Sequence, residues 1–544
     1  MKILLVGINA KYIHPALAIY QLKLNCHATV ETMEFNIKEN PFDIYQKITC
    51  KEYNLIGFSC YLWNILIVKA LCHLIKTNHP STKILLGGPE VSYDASYFLT
   101  NYPVDYIIRG EGELAFSALI NHLFGHIEIQ HVASLSYLEN GLIKNNNIIL
   151  PDLNTIKLAP LTVPNYRNRV VYIESSRGCP YNCSYCCASL EKKVRFFPID
   201  KIKALLIQLM KEKVKTVKFL DRTFNANKRY LIDILTLIEE NNISTTFQFE
   251  IVVDKLDHDI LAFLSTLKKK GLRFEIGIQS TNTIVNESVN RWQDMNLLKE
   301  NIRFLSLNTL VDLHLDLIAG LPFETKKSFI ASFNEVFLLR PKELQLGFLK
   351  FLRGTPILKT VQEHGYLYQK NPPYEIIENK YLTMLDLNEI KNIEVVLNKF
   401  YNDFRFPKTI NQCFKLITNP YSFFLNLSNY AKSENFNFIS YQQYDLALLF
   451  DNFLAVYFPN NYLNLSFYLK QDYLEKAKTK PKIWWNHNLT KKSRAFIYQS
   501  IIQKKPSISI DDLYRYSIVL THNDLIYICL YKNYIVKTHL INIK

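Results

Sequence analysis

Short apolar runs that alternate with segments of helical periodicity dominate much of this 544-residue chain. Runs rich in Val, Ile, Leu and Phe that are too short for a helix are typical of buried parallel strands. In the N-terminal part such runs lie at 2–8, 28–37, 54–60, 83–89 and 104–113. We expect them to form a doubly wound parallel sheet, an architecture that binds its ligands at the carboxyl ends of its strands.

A second series of strand patterns begins further along the chain. Amphipathic segments such as 199–213 and 228–242 separate them, with apolar residues at helical spacing. Strand–helix units in line predict a partial TIM-type (β/α)6 barrel, whose chemistry lies at the C-terminal ends of its strands. The predicted barrel strands are 170–175, 216–221, 245–252, 273–280, 312–320 and 343–351.

The remaining segments complete an α/β chain of about three domains. The turn pair Asn140-Gly141 and spaced prolines predict a hairpin and linker between the two sheets, and the last third is rich in aromatic, Asn and Lys residues and predicted mostly helical. A turn containing Asn533 is expected between two final strands. The predicted domains are 1–125, a hairpin and linker at 126–168, the barrel at 169–365, and a C-terminal extension at 366–544.

Composition and charge narrow the class of protein. The formal charge of +15 comes from 64 Lys and Arg against 49 Asp and Glu, but the lysines are scattered and form no concentrated stripe. Nucleic-acid binding is therefore not indicated. The sequence has no run of 18 apolar residues and its first residues have no cleavage site of a signal peptide, so we expect a cytoplasmic protein without a membrane partner. In a reducing compartment, ten cysteines are metal ligands, reactive thiols or core residues rather than disulfides.

The stretch "RGCPYNCSYCCA" at 177–188 holds four of those cysteines. Cys179, Cys183 and Cys186 have C-x3-C-x2-C spacing directly after the first predicted barrel strand. A structural zinc site takes four ligands, typically from two separated pairs. A 4Fe-4S cluster normally takes four thiolates, one on each iron, so three would leave one iron open. Because Cys187 directly follows Cys186, its side chain should point elsewhere, and we interpret it as a packing residue or a spare thiol.

This motif, with the aromatic Tyr185 before the last cysteine, closely resembles the signature of radical S-adenosylmethionine (SAM) enzymes. The resemblance implies that Cys179, Cys183 and Cys186 hold a 4Fe-4S cluster whose open iron chelates SAM. It further implies reductive cleavage of SAM to a 5'-deoxyadenosyl radical. Such enzymes take electrons from an external donor such as a flavodoxin or ferredoxin.

Other strand ends agree with the resemblance. The turn after the second barrel strand would meet the SAM amino group, although the usual Gly-Gly-Glu is absent, and the segment "DLIAGLPFET" resembles the part of the family near the adenine. Polar residues of the third and fourth strands should face the pocket, and an arginine in "VNRW" could pair with a carboxylate. The candidate cofactor-binding residues on this side are Tyr185, Asp221, Asn225, Glu250, Gln279, Ser280, Arg291, Gly320 and Glu324.

The N-terminal sheet has its own candidate edge, where glycines would let the backbone approach a ligand. Its candidate binding residues are Asn9, Ser59, Gly87, Gly88, Gly110 and Glu111. A doubly wound domain before a radical SAM barrel resembles the cobalamin-binding members of that superfamily, with a C-terminal extension of unassigned function. The resemblance makes cobalamin the expected third cofactor. His14 is the only imidazole in the first loop, and its neighbours do not match the cobalt-ligating motif of other cobalamin proteins.

The expected function is a cobalamin-dependent radical SAM methyltransferase that acts on an unactivated carbon of an unknown small-molecule or peptide substrate. A radical SAM cyclase or an enzyme of oxidative rearrangement, with or without cobalamin, is an alternative. A non-catalytic iron–sulfur or zinc protein with a regulatory role is an alternative of a different class.

Overall fold

The computed structural model describes residues 1–486, 490–523, 525–532 and 535–542. The chain forms two units. Unit 1 comprises residues 1–332 and 339–387, and unit 2 comprises residues 333–338 and 388–544. Among the described residues, no helix is both long and apolar enough to cross a membrane.

Unit 1 begins with a seven-stranded sheet in the order β2-β1-β3-β4-β5-β6-β7. The first five strands run parallel, and the hairpin β6–β7 extends the sheet in antiparallel fashion. The strands are β1 (Ile3–Asn9), β2 (Val30–Asn36), β3 (Leu55–Ser59), β4 (Lys83–Gly87), β5 (Tyr106–Ile108), β6 (Leu135–Glu139) and β7 (Leu142–Asn145). The helices are α1 (Leu17–Leu24), α2 (Pro41–Ile48), α3 (Ile65–Asn78), α4 (Pro89–Ser92), α5 (Ala95–Asn101) and α6 (Glu113–Leu123).

Both faces of this sheet are buried, as the continuous apolar run of β1 predicts. Every residue of β1 is buried. Side chains alternate between the two faces of a strand, so Leu4 and Val6 enter one apolar core and Ile3 and Leu5 enter the other. The predicted doubly wound sheet is therefore confirmed.

The second sheet of unit 1 is the open barrel. Its six strands are all parallel and lie in sequence order from β8 to β15, as expected of successive strand–helix units. The strands of this region are β8 (Val170–Ile173), β9 (Ser176–Arg177), β10 (Arg195–Phe196), β11 (Thr216–Phe219), β12 (Thr246–Ile251), β13 (Leu272–Gln279), β14 (Asp312–Ala319) and β15 (Glu343–Phe348). Strands β9 and β10 form a separate two-stranded antiparallel ribbon. The helices are α7 (Ile199–Lys211), α8 (Lys228–Asn241), α9 (His258–Thr266), α10 (Thr283–Ser288), α11 (Met295–Asn308) and α12 (Lys326–Leu338).

A short hairpin, β16 (Leu367–Tyr368) with β17 (Ile376–Glu378), ends unit 1. Unit 2 is mostly helical, as predicted, and packs aromatic side chains such as Phe414, Phe424 and Phe450 in its interior. Its helices are α13 (Met384–Leu397), α14 (Pro407–Leu416), α15 (Pro420–Ser433), α16 (Gln443–Tyr457), α17 (Tyr462–Lys476), α18 (Lys491–Lys504) and α19 (Ile510–Tyr516). An antiparallel sheet of β18 (Ser517–His522), β19 (Leu525–Lys532) and β20 (Ile535–Asn542) follows. The predicted turn at Asn533 lies outside the described residues.

Candidate active site

The segment between β9 and β10, residues 178–194, is termed the cysteine loop. It leaves the barrel just after β8 and is closed at its base by the ribbon, in which Arg177 lies opposite Arg195. Gly178 has φ +89°, and a Cβ atom there would lie 2.3 Å from the carbonyl oxygen of Lys193. Only glycine therefore fits this turn without strain.

The middle of the cysteine loop is held by the barrel. The backbone N–H of Ser184 donates to the carbonyl of Val289 at 2.9 Å, and its own carbonyl accepts from the N–H of Ile357 at 2.9 Å. These partners follow β13 and β15, so the loop spans the C-terminal end of the barrel.

Cys179, Cys183 and Cys186 line a single pocket at this end of the barrel, together with Tyr185. The Sγ atom of Cys179 lies 3.5 Å from the hydroxyl of Thr223. Burial raises the pKa of the Cys186 thiol. The structure thus brings together the three predicted ligands and the predicted aromatic residue.

The donor set of this pocket fits a 4Fe-4S cluster. Each thiolate of such a cluster binds a different iron, whereas a zinc site places four ligands around one ion. Within the described ranges, no three His, Cys, Asp or Glu side chains are arranged to hold a single metal ion. Three thiols that line one pocket match the three protein ligands of a cluster with one open iron.

Cys187 behaves differently from its neighbour. Its Sγ atom lies 4.0 Å from the carbonyl oxygen of Arg353, and it is not among the residues that line the pocket. Burial raises the pKa of this thiol to about 11. This placement agrees with the predicted role as a packing residue or spare thiol.

Arg291 places a cation beside one of the three thiols. Its Nη1 atom lies 3.6 Å from Sγ of Cys183, its Nη2 atom donates to the carbonyl of Gly277, and its Nε atom donates to Gln293 at 3.0 Å. The guanidinium is thus anchored on the strand end of β13. The structure places the guanidinium of Arg291 beside a thiol. The expected pairing of Arg291 with a carboxylate stays a prediction.

Gln279 and Glu250 also line the pocket, as their positions on β13 and β12 predict. Gln279 has φ +70°, and its Oε1 atom is buried without a hydrogen-bond partner. Glu250 lies 3.4 Å from a guanidinium nitrogen of Arg222. Burial raises the pKa of Glu250, while Arg222 opposes that shift. An unpaired buried acceptor is costly, so Gln279 is suited to a ligand that donates hydrogen bonds.

Two predicted residues after β11, Asp221 and Asn225, are not among the lining residues of the pocket and form hydrogen bonds with other parts of the chain. Asp221 accepts hydrogen bonds from the N–H of Ser175 at 2.9 Å and from the hydroxyls of Ser175 and Ser176 at 2.5 and 2.6 Å. Burial raises its pKa to about 6. Asn225 exchanges hydrogen bonds with the N–H and carbonyl of Val252, at 2.9 and 2.8 Å. In this structure both side chains fix the strand ends from which the pocket is built.

The predicted residues of the adjacent turns form a second buried group. The hydroxyl of Ser280 donates to Glu324 at 2.6 Å, and burial raises the pKa of Glu324 to about 8. The carbonyl of Gly320 accepts from Tyr366 and Asn379, each at 3.1 Å. None of Ser280, Glu324 and Gly320 is among the lining residues of the pocket.

At the edge of the N-terminal sheet, the structure places Ser59, Gly87 and Gly88 side by side at the ends of β3 and β4. The hydroxyl of Ser59 is buried without a partner. Apart from its chain neighbours, the described part of the chain places one heavy atom within 4 Å of a Cβ built at Gly87, the carbonyl oxygen of Ile108 at 3.8 Å. An orphaned hydroxyl beside a glycine with open space is a cradle into which a ligand can fit.

Asn9 and Gly110 lie at the same edge but have protein partners. The amide of Asn9 donates to Glu34 at 2.9 Å, and the N–H of Gly110 donates to the hydroxyl of Ser92 at 3.1 Å. The ring of His14 shares a hydrogen bond of 2.6 Å with the hydroxyl of Tyr172. Burial, followed by nearby cations, lowers the pKa of His14.

Glu111 takes part in an ion-pair cluster between the two sheets. Its carboxylate accepts from Nη1 of Arg177 at 2.5 Å and also from Arg195. Arg177 further pairs with Glu113 at 2.5 Å and with Glu174 at 2.7 Å. Burial raises the pKa of Glu111, against the effect of the arginines. The end of β5 therefore contacts the base of the cysteine loop.

A second contact joins the same two edges. The Nε atom of Arg353, which follows β15, lies 3.2 Å from Glu90 after β4, and its Nη1 atom binds Asp94. Both contacts join loops at the C-terminal ends of parallel strands. The C-terminal edges of the N-terminal sheet and of the barrel therefore face each other.

Sequence reasoning missed several residues of these sites. Glu275 and Asp316 line the cysteine pocket from inside the barrel, where Glu275 pairs with Lys218 at 3.0 Å. The sequence feature that could have identified these two residues is a polar residue within a barrel strand. At the N-terminal edge, the rings of Tyr61 and Trp63 stack at 4.5 Å, and Trp63 remains 48% exposed.

A doubly wound sheet whose C-terminal edge faces a cysteine pocket on an open parallel barrel defines a two-domain α/β enzyme with a cluster site. Family models agree with each part. Residues 3–120 match the B12 binding domain, residues 173–336 match the radical SAM superfamily, and residues 362–523 match the model described as protein of unknown function (DUF4080). The chain thus combines a B12 binding domain, a radical SAM domain and a C-terminal DUF4080 region, and the sequence-based interpretation as an enzyme built from these domains is confirmed.

Known proteins resemble the chain at low identity. An uncharacterized methyltransferase of Pyrococcus horikoshii is 24% identical over 384 residues, which cover 66% of this chain and 81% of that protein. The cobalamin-dependent radical SAM methyltransferase TokK of Streptomyces tokunonensis is 25% identical over 51% of this chain, and the match spans only 44% of TokK. The solved structure of the cobalamin-dependent SAM radical enzyme OxsB, with aqua-cobalamin and SAM bound, has a TM-score of 0.59 at 15% identity. The match covers 87% of this chain and 79% of the OxsB chain. At the level of domain families, the predicted cofactors are confirmed.

Proposed function

We propose that this enzyme is a cobalamin-dependent radical SAM methyltransferase that methylates an unactivated carbon of a small-molecule or peptide substrate. The observation that carries the proposal is the facing pair of strand edges. The cysteine pocket lies at one edge, and the cradle of Ser59 and Gly87 lies at the other. A reaction that uses two cofactors on one substrate needs both within reach of the same space.

The N-terminal edge also offers an apolar rim to a large cofactor. Tyr12, Trp63 and Tyr93 follow the neighbouring strands β1, β3 and β4 and are 60%, 48% and 47% exposed. Exposed apolar patches commonly mark binding surfaces. The corrin ring of cobalamin is broad and largely apolar, so it would cover such a rim while its polar groups meet Ser59.

In the cysteine pocket, Cys179, Cys183 and Cys186 would hold the cluster, and Gln279 and Glu250 would accept hydrogen bonds from SAM. When bound, the cluster and SAM supply a 5'-deoxyadenosyl radical, and methylcobalamin supplies the methyl group. The protein's own part is to orient the cofactors and exclude water. The cysteine loop, in which Cys179 and Cys183 are buried, and the anchored Arg291 are suited to that role. An external donor such as a flavodoxin or ferredoxin would supply the electrons.

The two relatives described above support methyl transfer. Both the Pyrococcus protein and TokK are described as methyltransferases, and TokK as cobalamin-dependent. The test uses the reconstituted full chain, a reductant, SAM labelled with deuterium in its methyl group, and a metabolite extract of the source organism. We expect a product that carries the label with wild type and none with Cys183→Ala. If SAM is cleaved and cobalamin is retained, but the only product is cyclised or oxidised and carries no label, methyl transfer is wrong.

A further inference from the structure

The barrel of unit 1 is open, and its two edge strands are β8 and β15. Two arginines that contact the N-terminal domain follow these two strands, with Arg177 after β8 and Arg353 after β15. Their acidic partners follow the neighbouring strands β4 and β5. The N-terminal sheet thus binds both free edges of the barrel at the end that carries the cysteine pocket.

The base of the cysteine loop has an unfavourable charge pattern of its own. Arg177 and Arg195 are direct cross-strand partners in the ribbon that closes the loop. Like charges that lie opposite each other on an antiparallel pair are destabilising. Both side chains are largely buried, at 10% and 15% exposure, so solvent screens their repulsion poorly.

One carboxylate from the other domain lies between these two cations. One oxygen of Glu111 binds Arg177 and the other binds Arg195. Further carboxylates serve only one arginine each, with Glu113 and Glu174 on Arg177 and Glu191 on Arg195. Glu111 is therefore the carboxylate that joins the two ends of the loop in the described contacts.

We propose that Glu111 is a positioning residue that holds the cysteine loop closed and fixes the distance between the cluster pocket and the cobalamin edge. The proposal rests on the proposed function for the identity of the cofactors. It departs from the expectation that Glu111 binds a cofactor directly, because both of its oxygens are engaged by arginines. The consequence is that the cysteine loop depends on the N-terminal domain for its closure.

The test compares Glu111→Gln with the double variant Glu111→Gln/Arg195→Gln in the reconstituted full chain. The single variant removes the carboxylate that joins the two arginines and leaves each arginine only with carboxylates of its own. We therefore expect chelator-driven loss of the cluster, followed by its visible absorbance, to be at least about tenfold faster than in wild type. The double variant removes one of the two cations, so we expect it to recover much of the wild-type rate. Glu31→Gln is the matched control, because Glu31 pairs with Lys51 on the exposed surface.

A second readout measures position. With cob(II)alamin and a reduced cluster bound, pulsed electron paramagnetic resonance (EPR) should give one narrow distance between the two spins in wild type and a broader distribution in Glu111→Gln. The proposal would be overturned if Glu111→Gln lost its cluster at the wild-type rate and kept the wild-type distance between the spins. It would also be overturned if reduced cobalamin affinity were the only effect of the substitution.

If Glu111→Gln does not fold, the double variant decides. Recovery of a folded, cluster-bearing chain supports the proposal, and failure to recover contradicts it. A wild-type chain that holds no cluster would instead contradict the proposed function, so the two failures are distinguishable.

Discussion

The Nη1 atom of Arg291 lies 3.6 Å from the Sγ atom of Cys183, although the two residues are 108 positions apart in the chain. A fixed cation beside a cluster ligand stabilises the reduced cluster, which carries one more negative charge. The contact therefore links a residue after β13 to the electron affinity of the site.

Replacement of Arg291 should make the cluster harder to reduce. We expect Arg291→Gln to lower the reduction potential by on the order of 50–100 mV, because one positive charge is lost in a poorly screened site. A redox titration followed by EPR measures this shift. The exposed Arg303→Gln should leave the potential unchanged, and an unchanged potential in Arg291→Gln would show that the contact has no electrostatic role.

Cysteine substitutions should separate three ligands from one bystander. Cys183→Ala removes a thiol from the pocket, whereas Cys187→Ala removes one that faces the carbonyl of Arg353. We expect iron analysis to give about four irons per chain in wild type and in Cys187→Ala, and little iron in Cys183→Ala. Loss of iron in Cys187→Ala would instead make Cys187 a ligand.

The two adjacent glycines of the N-terminal edge should respond differently to substitution. A side chain at Gly87 meets open space, so Gly87→Val should fold normally but lose at least about tenfold in cobalamin affinity by filling the cradle. Gly88→Ala should lower the melting temperature in addition to the cobalamin affinity, because φ at Gly88 is +109° and the new Cβ would lie 2.6 Å from the carbonyl of Cys60. The cobalamin retained on gel filtration measures the affinity, and thermal melts measure the stability. Full cobalamin retention by Gly87→Val would argue against this edge as the binding site.

Glu324 should make the stability of the fold depend on pH. Burial raises its folded-state pKa to about 8, above the value of 4.5 for an exposed glutamate. The neutral form of Glu324 is therefore favoured in the folded chain. Its contribution to the free energy of unfolding, on the order of a few kcal/mol, is lost as the pH rises from about 4.5 through 8. Glu324→Gln is neutral throughout, so we expect it to melt close to wild type at about pH 4 and increasingly above wild type as the pH rises to about 8. The exposed Glu300→Gln is the control, and a parallel pH profile of wild type and Glu324→Gln would contradict the assignment.

Local patterns predicted the elements and the grouping of the three cysteines because both depend on neighbours in sequence. The uniform burial of β1 follows from a continuous apolar run, and the spacing of Cys179, Cys183 and Cys186 within one loop fixes their shared pocket. Contacts between distant segments could not be predicted in this way. Arg353 meets Glu90 across 263 positions, and Glu111 meets Arg177 across 66, so no local pattern connects them.

Some predicted residues also have partners that the sequence could not indicate, because these partners come from distant segments. Asp221 ends a strand as expected, but its carboxylate binds Ser175 and Ser176, whose positions depend on the pairing of β8 with β11. The alternation of a strand predicts which face a residue occupies, and the tertiary structure decides what it meets there. Glu275 and Asp316 were missed for that reason.

The most direct test of the account is the reductive cleavage of SAM. The full chain would be reconstituted anaerobically with iron and sulfide, then given SAM and a strong reductant, and 5'-deoxyadenosine would be measured by mass spectrometry. The proposed function predicts deoxyadenosine from wild type and none from Cys183→Ala. A wild-type chain that holds about four irons, binds SAM and forms no deoxyadenosine would contradict it.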